Sequence, residues 1–223
     1  MKTKIKNQLY FSINLLFLLL GLINGDPNPL LDYCIADTTS PNYYISNGPP
    51  CLNPNLANPT HFTTSALSKP GNTTANKFGF SVILTNNQIL PGHHTQGLSM
   101  ARIDIGPNGL VPPHSHPRAS EVTTCLKGEI LVGFVDTSNK MYTQRLRPSE
   151  SFVFPKGLIH FLYNVDPKGP SMAISGLSSE NPGTQVASLG TFGTTPPMPS
   201  IVLEKAFKID AQEVTKISSH LQG

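Results

Sequence analysis

Short runs of Val, Ile, Leu and Phe broken by Gly, Pro and Asn recur about every ten residues before residue 185, and helix-forming periodicity is scarce there. That pattern predicts an all-β sandwich or barrel. Beyond it the rhythm changes. Val214, Ile217 and Leu221 fall at i, i+3 and i+7, one face of an amphipathic helix, with Asp210 placed to cap it. Ile201, Val202, Ala206 and Ile209 precede them, after the stiff connector T-T-P-P-M-P. The barrel is expected over about 60–180 and a helical extension over about 181–223. The extension has no core of its own, so its apolar stripe needs its own barrel or another subunit.

At the other end, Lys2, Lys4 and Lys6 precede an apolar stretch, Ile13 to Ile23, with Gly25 before Asp26. The stretch is too short to span a bilayer and has the layout of a secretory signal peptide, residues 1–25. The remainder, 26–223, is expected to form one domain. Of the 223 residues, 16 are Lys or Arg and 13 are Asp or Glu, a formal net charge of +3. Removing the leader takes away three lysines and no acids, so the balance falls to zero. Nothing in it points to nucleic acid, and no membrane association is expected after cleavage.

The chemistry concentrates between Val111 and Asn164. His114 and His116 stand two apart in V-P-P-H-S-H-P-R-A-S-E, so in an extended strand both rings share a face. Glu121 follows five residues after His116, and a bend at Pro117 can return it to the same side. His160 lies in S-F-V-F-P-K-G-L-I-H-F, an otherwise apolar strand in which an unpaired ring is costly. Surface strands carry His-x-His pairs that bind nothing. Here the pair stands with a carboxylate and a third histidine, in a chain of seven. Three imidazoles and a carboxylate without thiolate suit divalent manganese or iron better than a closed structural zinc site.

Those two segments, P-P-H-S-H-P-R-A-S-E and F-V-F-P-K-G-L-I-H-F, resemble the signature boxes of the plant germins and germin-like proteins of the cupin superfamily. The resemblance covers nearly all of the chain after residue 25. It implies a jelly-roll cupin barrel in which His114, His116, Glu121 and His160 bind manganese, tight dimers clasped by the C-terminal helices, and a homohexamer built as a trimer of dimers. It also implies a disulfide between Cys34 and Cys51, which a secretory route favours. Cys125 is expected to face inward as a small buried hydrophobe. Asn72, in N-T-T, is the N-glycosylation sequon of the secreted chain, since proline follows Asn58.

Departures from the family pattern narrow the chemistry. Germins that oxidise oxalate carry asparagine where this sequence has His94 and Ala101, so a bound carboxylate loses its amide partners and oxalate oxidation is disfavoured. His93 and His94 can line the cavity mouth, with His94 a proton-relay candidate, or be solvated loop residues. Arg118 is expected to pair with a carboxylate across the fold. Pro148, Ser149 and Glu150 replace a basic residue, glycine and aspartate before the second box, which alters the turn. Leu162 stands where glutamine is frequent, making the pocket wall more apolar. The expected function is superoxide dismutation to hydrogen peroxide by a secreted manganese protein of the apoplast or cell wall. The alternatives are a non-enzymatic protein that binds an auxin-like ligand or stores nutrient, and, less favoured, oxalate oxidase.

Overall fold

Ten antiparallel strands hold most of the apolar positions that recur through the sequence. The computed structural model describes residues 32–39 and 48–221. The leader at 1–25 and its cleavage point lie outside them. Strands β1 (Phe80–Leu84), β2 (Ser99–Ile105), β9 (Ser171–Leu177), β4 (Glu121–Lys127) and β7 (Ser151–Phe154) form one sheet in that order. Strands β10 (Gln185–Val186), β3 (Leu110–Ser115), β8 (His160–Asn164), β5 (Ile130–Val135) and β6 (Met141–Leu146) form the other. Ile103, Ile105, Cys125, Phe154 and Ala173 from the first sheet meet Val111, Ile130, Val132, Leu146 and Leu162 from the second in one buried core. This is the all-β jelly-roll arrangement predicted, in which alternate residues of each strand face inward. Cys125 is fully buried in that core, and burial pushes its thiol above the usual range.

Three helices follow: α1 (Leu189–Phe192), α2 (Ser200–Phe207) and α3 (Ala211–Leu221). The predicted cap of α3 is present and reciprocal. The Glu213 amide donates to Asp210 Oδ1 at 2.8 Å, and the Asp210 amide to Glu213 Oε2 at 3.0 Å. The helices bury Leu203 and Val214 and set the rings of Phe192 and Phe207 4.9 Å apart. Their outer side leaves Ile201, Val202 and Phe207 exposed. The helical segment begins later than expected, because Gln185 and Val186 pair with Ser115 and His114 as strand β10. Among the described residues no helix is long and apolar enough to cross a membrane.

Before the barrel, Cys34 and Cys51 form a disulfide that closes a separation of 17 residues. The Ala36 amide donates to the Pro91 carbonyl, so this N-terminal strap lies against the turn that carries His93 and His94. Asn72 is exposed, with its Oδ1 accepting from the Thr74 amide and hydroxyl.

Candidate metal centre

The four predicted ligands come from both sheets and the loop between them. His114 lies on β3 and is the cross-strand partner of His160, the first residue of β8. A register shift falls between Val111 and His114, where Pro112 and Pro113 interrupt the ladder. Strand β3 ends at Ser115 and β4 begins at Glu121 in the opposite sheet. The loop through Pro117 therefore does more than bend a strand: it carries the chain across the sandwich, with His116 at its start. All four residues are buried, and one ligand atom from each lies within 4.8 Å of the others.

Their hydrogen bonds fix which atoms face the centre. His114 Nδ1 lies 2.9 Å from the Pro112 carbonyl, His160 Nδ1 2.9 Å from the Leu158 carbonyl, and His116 Nδ1 bonds the Gly183 carbonyl. A carbonyl can only accept, so each Nδ1 carries a proton and each ring, when neutral, turns a lone pair inward on Nε2. Glu121 is oriented likewise. Its Oε1 accepts from the Thr123 hydroxyl at 2.8 Å, and that hydroxyl lies 2.7 Å from the Ser175 hydroxyl, with both side chains fully buried. Glu121 Oε2 is left 3.0 Å from His116 Nε2 and 3.4 Å from His160 Nε2. Among the described residues, and with the rings neutral, neither Glu121 Oε2 nor His160 Nε2 has a hydrogen-bond partner, although both are buried. Lone pairs converging in a dry site repel unless a cation sits among them. The donor set and its orphaned atoms fit a divalent metal held by three nitrogens and one oxygen.

The electrostatics agree. Burial, reinforced by the neighbouring His160 ring, lowers the His114 imidazole to about 4, so it stays neutral and able to ligate. Burial also disfavours the charged form of His116, but the Glu121 carboxylate and the Gly183 carbonyl outweigh it and raise that ring. Burial pushes Glu121 upward, yet the His116 and His160 rings bring it below the usual carboxylate range. In the metal-free centre, the His116–Glu121 pair takes up a proton where a metal would sit.

A cavity of about 180 Å³ adjoins three of the ligands, His114, His116 and Glu121. Its wall is mostly apolar, lined from the first sheet by Phe80, Val82, Leu84, Ala101, Ile103 and Leu177 and from the second by Val111 and Leu162. Thr184 is the polar lining residue that is not a predicted ligand.

Other sequence expectations are corrected. Neither His93 nor His94 lines this cavity, and neither is solvated, at 5% and 2% exposure. Both nitrogens of His94 are turned to other partners, Glu180 and the Pro49 carbonyl, which removes it from the mouth. Arg118 grips the Asn181 carbonyl and side-chain oxygen instead of a carboxylate. Sequence reasoning missed the anchoring carbonyls and the role of Ser175. For His114 and His160 a local signal exists, since each acceptor lies two residues upstream. Gly183 is 67 residues from His116 and carries none.

Comparison with known proteins places this site. The cupin family model matches residues 65–215. Germin-like protein subfamily 1 member 1 of Arabidopsis thaliana is 53% identical over 209 residues, covering 93% of this chain and 96% of its own length. Germin-like protein 3-1 of Oryza sativa subsp. japonica is 50% identical over 206 residues, covering 91% of this chain and 92% of its own. A solved structure of recombinant oxalate oxidase in complex with glycolate superposes with a TM-score of 0.83 at 38% identity, covering 88% of this chain and 98% of the other. The chain that folds its three histidines and one glutamate into this barrel belongs to the germin-like proteins of the cupin family.

Proposed function

We propose that this protein is a secreted manganese-dependent superoxide dismutase of the plant extracellular space. The observation that carries the reading is the buried cluster of three inward Nε2 lone pairs and one free carboxylate oxygen beside a cavity. The reaction converts two superoxide ions and two protons to dioxygen and hydrogen peroxide. Manganese, when bound, supplies the one-electron redox chemistry. The chain holds three imidazoles and a carboxylate in fixed orientation beside a mostly apolar cavity. The Thr123 hydroxyl, itself bonded to the Ser175 hydroxyl, holds Glu121 by its Oε1 and leaves Oε2 for the centre. Superoxide needs no amide partner in the pocket, whereas a dicarboxylate meets Ala101 and an apolar wall. Oxalate oxidation is thus the less favoured activity despite the likeness to oxalate oxidase.

The same wall supports a second reading, a non-enzymatic apoplastic protein that binds a small apolar, auxin-like ligand or serves as a nutrient reservoir. Secretion rests on the leader, the Cys34–Cys51 disulfide and the exposed Asn72 sequon, which we take to be glycosylated. We further assign a homohexamer, as a trimer of dimers clasped by α2 and α3. The deciding experiment measures the dismutation rate of the purified secreted protein per bound manganese beside His116→Ala. A rate well above that of free manganese, lost together with the metal in the variant, supports catalysis. A folded, loaded protein without such a rate moves the assignment to ligand binding or storage.

A further inference from the structure

His94 lies outside the metal cavity, yet its surroundings are as fully built as those of a ligand. The ring is 2% exposed. Its Nε2 lies 3.0 Å from the Pro49 carbonyl and its Nδ1 3.1 Å from Glu180 Oε2. Gly48 packs against it so closely that a Cβ there would stand 2.7 Å from His94 Cε1. A carbonyl and an ionised carboxylate both only accept, so both bonds are made together only by the imidazolium. The Asn87 amide, 3.4 Å from the same Nδ1, has a buried Oδ1 without a partner, and a half-turn of that amide offers the oxygen to the ring. Glu180 also accepts from the Thr95 amide at 2.8 Å. Glu180 is the charged group paired with His94; His93, beside it on the turn, bonds the Leu90 carbonyl.

Glu180 belongs to the loop Ser178–Thr184 between β9 and β10. The Gly183 carbonyl of that loop accepts from His116 Nδ1, and Thr184 lines the cavity. Arg118 holds Asn181 by two bonds, and its amide donates to the Pro182 carbonyl. The other side of the loop is held by His94, Thr95 and the Ser99 hydroxyl, which donates to the Ser179 carbonyl.

We propose that His94 and Glu180 are positioning residues for the metal centre, a charge-dependent clamp on the loop Ser178–Thr184 that keeps the Gly183 carbonyl on His116. The proposal rests on the metal-binding reading. With His94 protonated, both acceptors are satisfied and the strap at Pro49 is tied to the loop. On losing its second proton the ring keeps one N–H, and a buried acceptor then faces a lone pair. The clamp loosens as pH rises.

The test compares the parent with Glu180→Gln and His94→Gln, and with His220→Gln on the exposed surface as control. Melting temperatures of the metal-free proteins are read at roughly pH 5.5 and roughly pH 8, one acidic and one alkaline value. Manganese loss to a chelator from the loaded proteins is read at the same values. Taking the ratio to the parent at each pH cancels the protonation of the ligands themselves. Glu180→Gln and His94→Gln are expected to melt lower and to lose manganese about tenfold faster at the acidic value, as for loss of a ligand's outer partner. Both differences close at the alkaline value, and His220→Gln matches the parent throughout. Ratios that do not vary with pH overturn the clamp. A pH-dependent melting difference without faster metal loss also overturns it, leaving the pair a fold element alone. A parent that retains no manganese sinks the metal-centre reading and this inference with it.

Discussion

Asn164 has no exposed surface, and its amide serves several strands at once. It donates to the carbonyls of Ile105, Gly106 and Gly169 and accepts from the Ser171 hydroxyl and the Asp166 amide. Asn164→Leu leaves buried carbonyls unpaired, so a loss of about 3 kcal/mol is expected in urea unfolding of the metal-free protein. At the metal centre, His116 has its protonation raised from 6.5 and must release a proton to ligate, whereas His114, at about 4, is already neutral near pH 7. Manganese affinity is therefore expected to rise with pH through and above 6.5, then level once His116 is neutral. Calorimetry in buffers of different ionisation enthalpy counts the protons released per metal. Release on binding near pH 7 is expected from His116 and none from His114, and affinity falling with rising pH would contradict the assignment. The four ligands were legible in the sequence from their residue types and from the two segments that resemble the germin boxes; strand spacing alone did not place Glu121, because the chain changes sheet between His116 and it. Asn164, Ser175 and Gly183 were not legible, because their partners lie far along the chain and become neighbours only through the sheet order.

At the scale of elements, strand positions followed from the apolar rhythm, but which sheet each strand joins did not. Strands β3 and β4 are close in sequence and lie in opposite sheets, a placement set by long-range pairing with β8 and β9. The altered turn before β7 was legible in part. Ser149 sits there at φ +75°, exposed, with its amide donating to the Cys125 carbonyl. A side chain in that left-handed region costs roughly 1 kcal/mol that glycine avoids, offset partly by glycine's freedom when unfolded. Ser149→Gly is expected to leave stability unchanged or raise it by up to about 1 kcal/mol, read as a shift of the thermal midpoint. Gly183 presents the reverse case. Its φ is +68° and an added Cβ would lie 2.9 Å from Arg118 Nη2, so Gly183→Ala strains the loop and pushes on its anchor. A destabilisation of about 1 to 2 kcal/mol is expected, together with weaker manganese retention, since the displaced carbonyl belongs to His116. Normal retention in a destabilised Gly183→Ala protein would separate the loop from the metal.

For the whole molecule, the open question is what covers its apolar exterior. On the outer face of the first sheet, Met100 pairs with Gly176, Gly176 with Val122, and Val122 with Val153, a single row across β2, β9, β4 and β7. Met100, Val122 and Val153 are 43%, 47% and 55% exposed, and nothing lies within 4 Å of a Cβ placed on Gly176. Ile201, Val202 and Phe207 on α2 are similarly open. An aligned row and an unpartnered helix face together mark a surface that gains by association. In the proposed hexamer both kinds of surface are expected to be buried between identical copies. Sedimentation of the secreted protein is expected to give a species several times the mass of one chain, and Val122→Lys with Val153→Lys to give smaller species. Because the row points away from the inward-facing ligands, the smaller species should still bind manganese. A parent that sediments as a single chain would refute the assembly while leaving the metal centre intact, and loss of manganese on dissociation would show that the centre depends on a neighbouring copy.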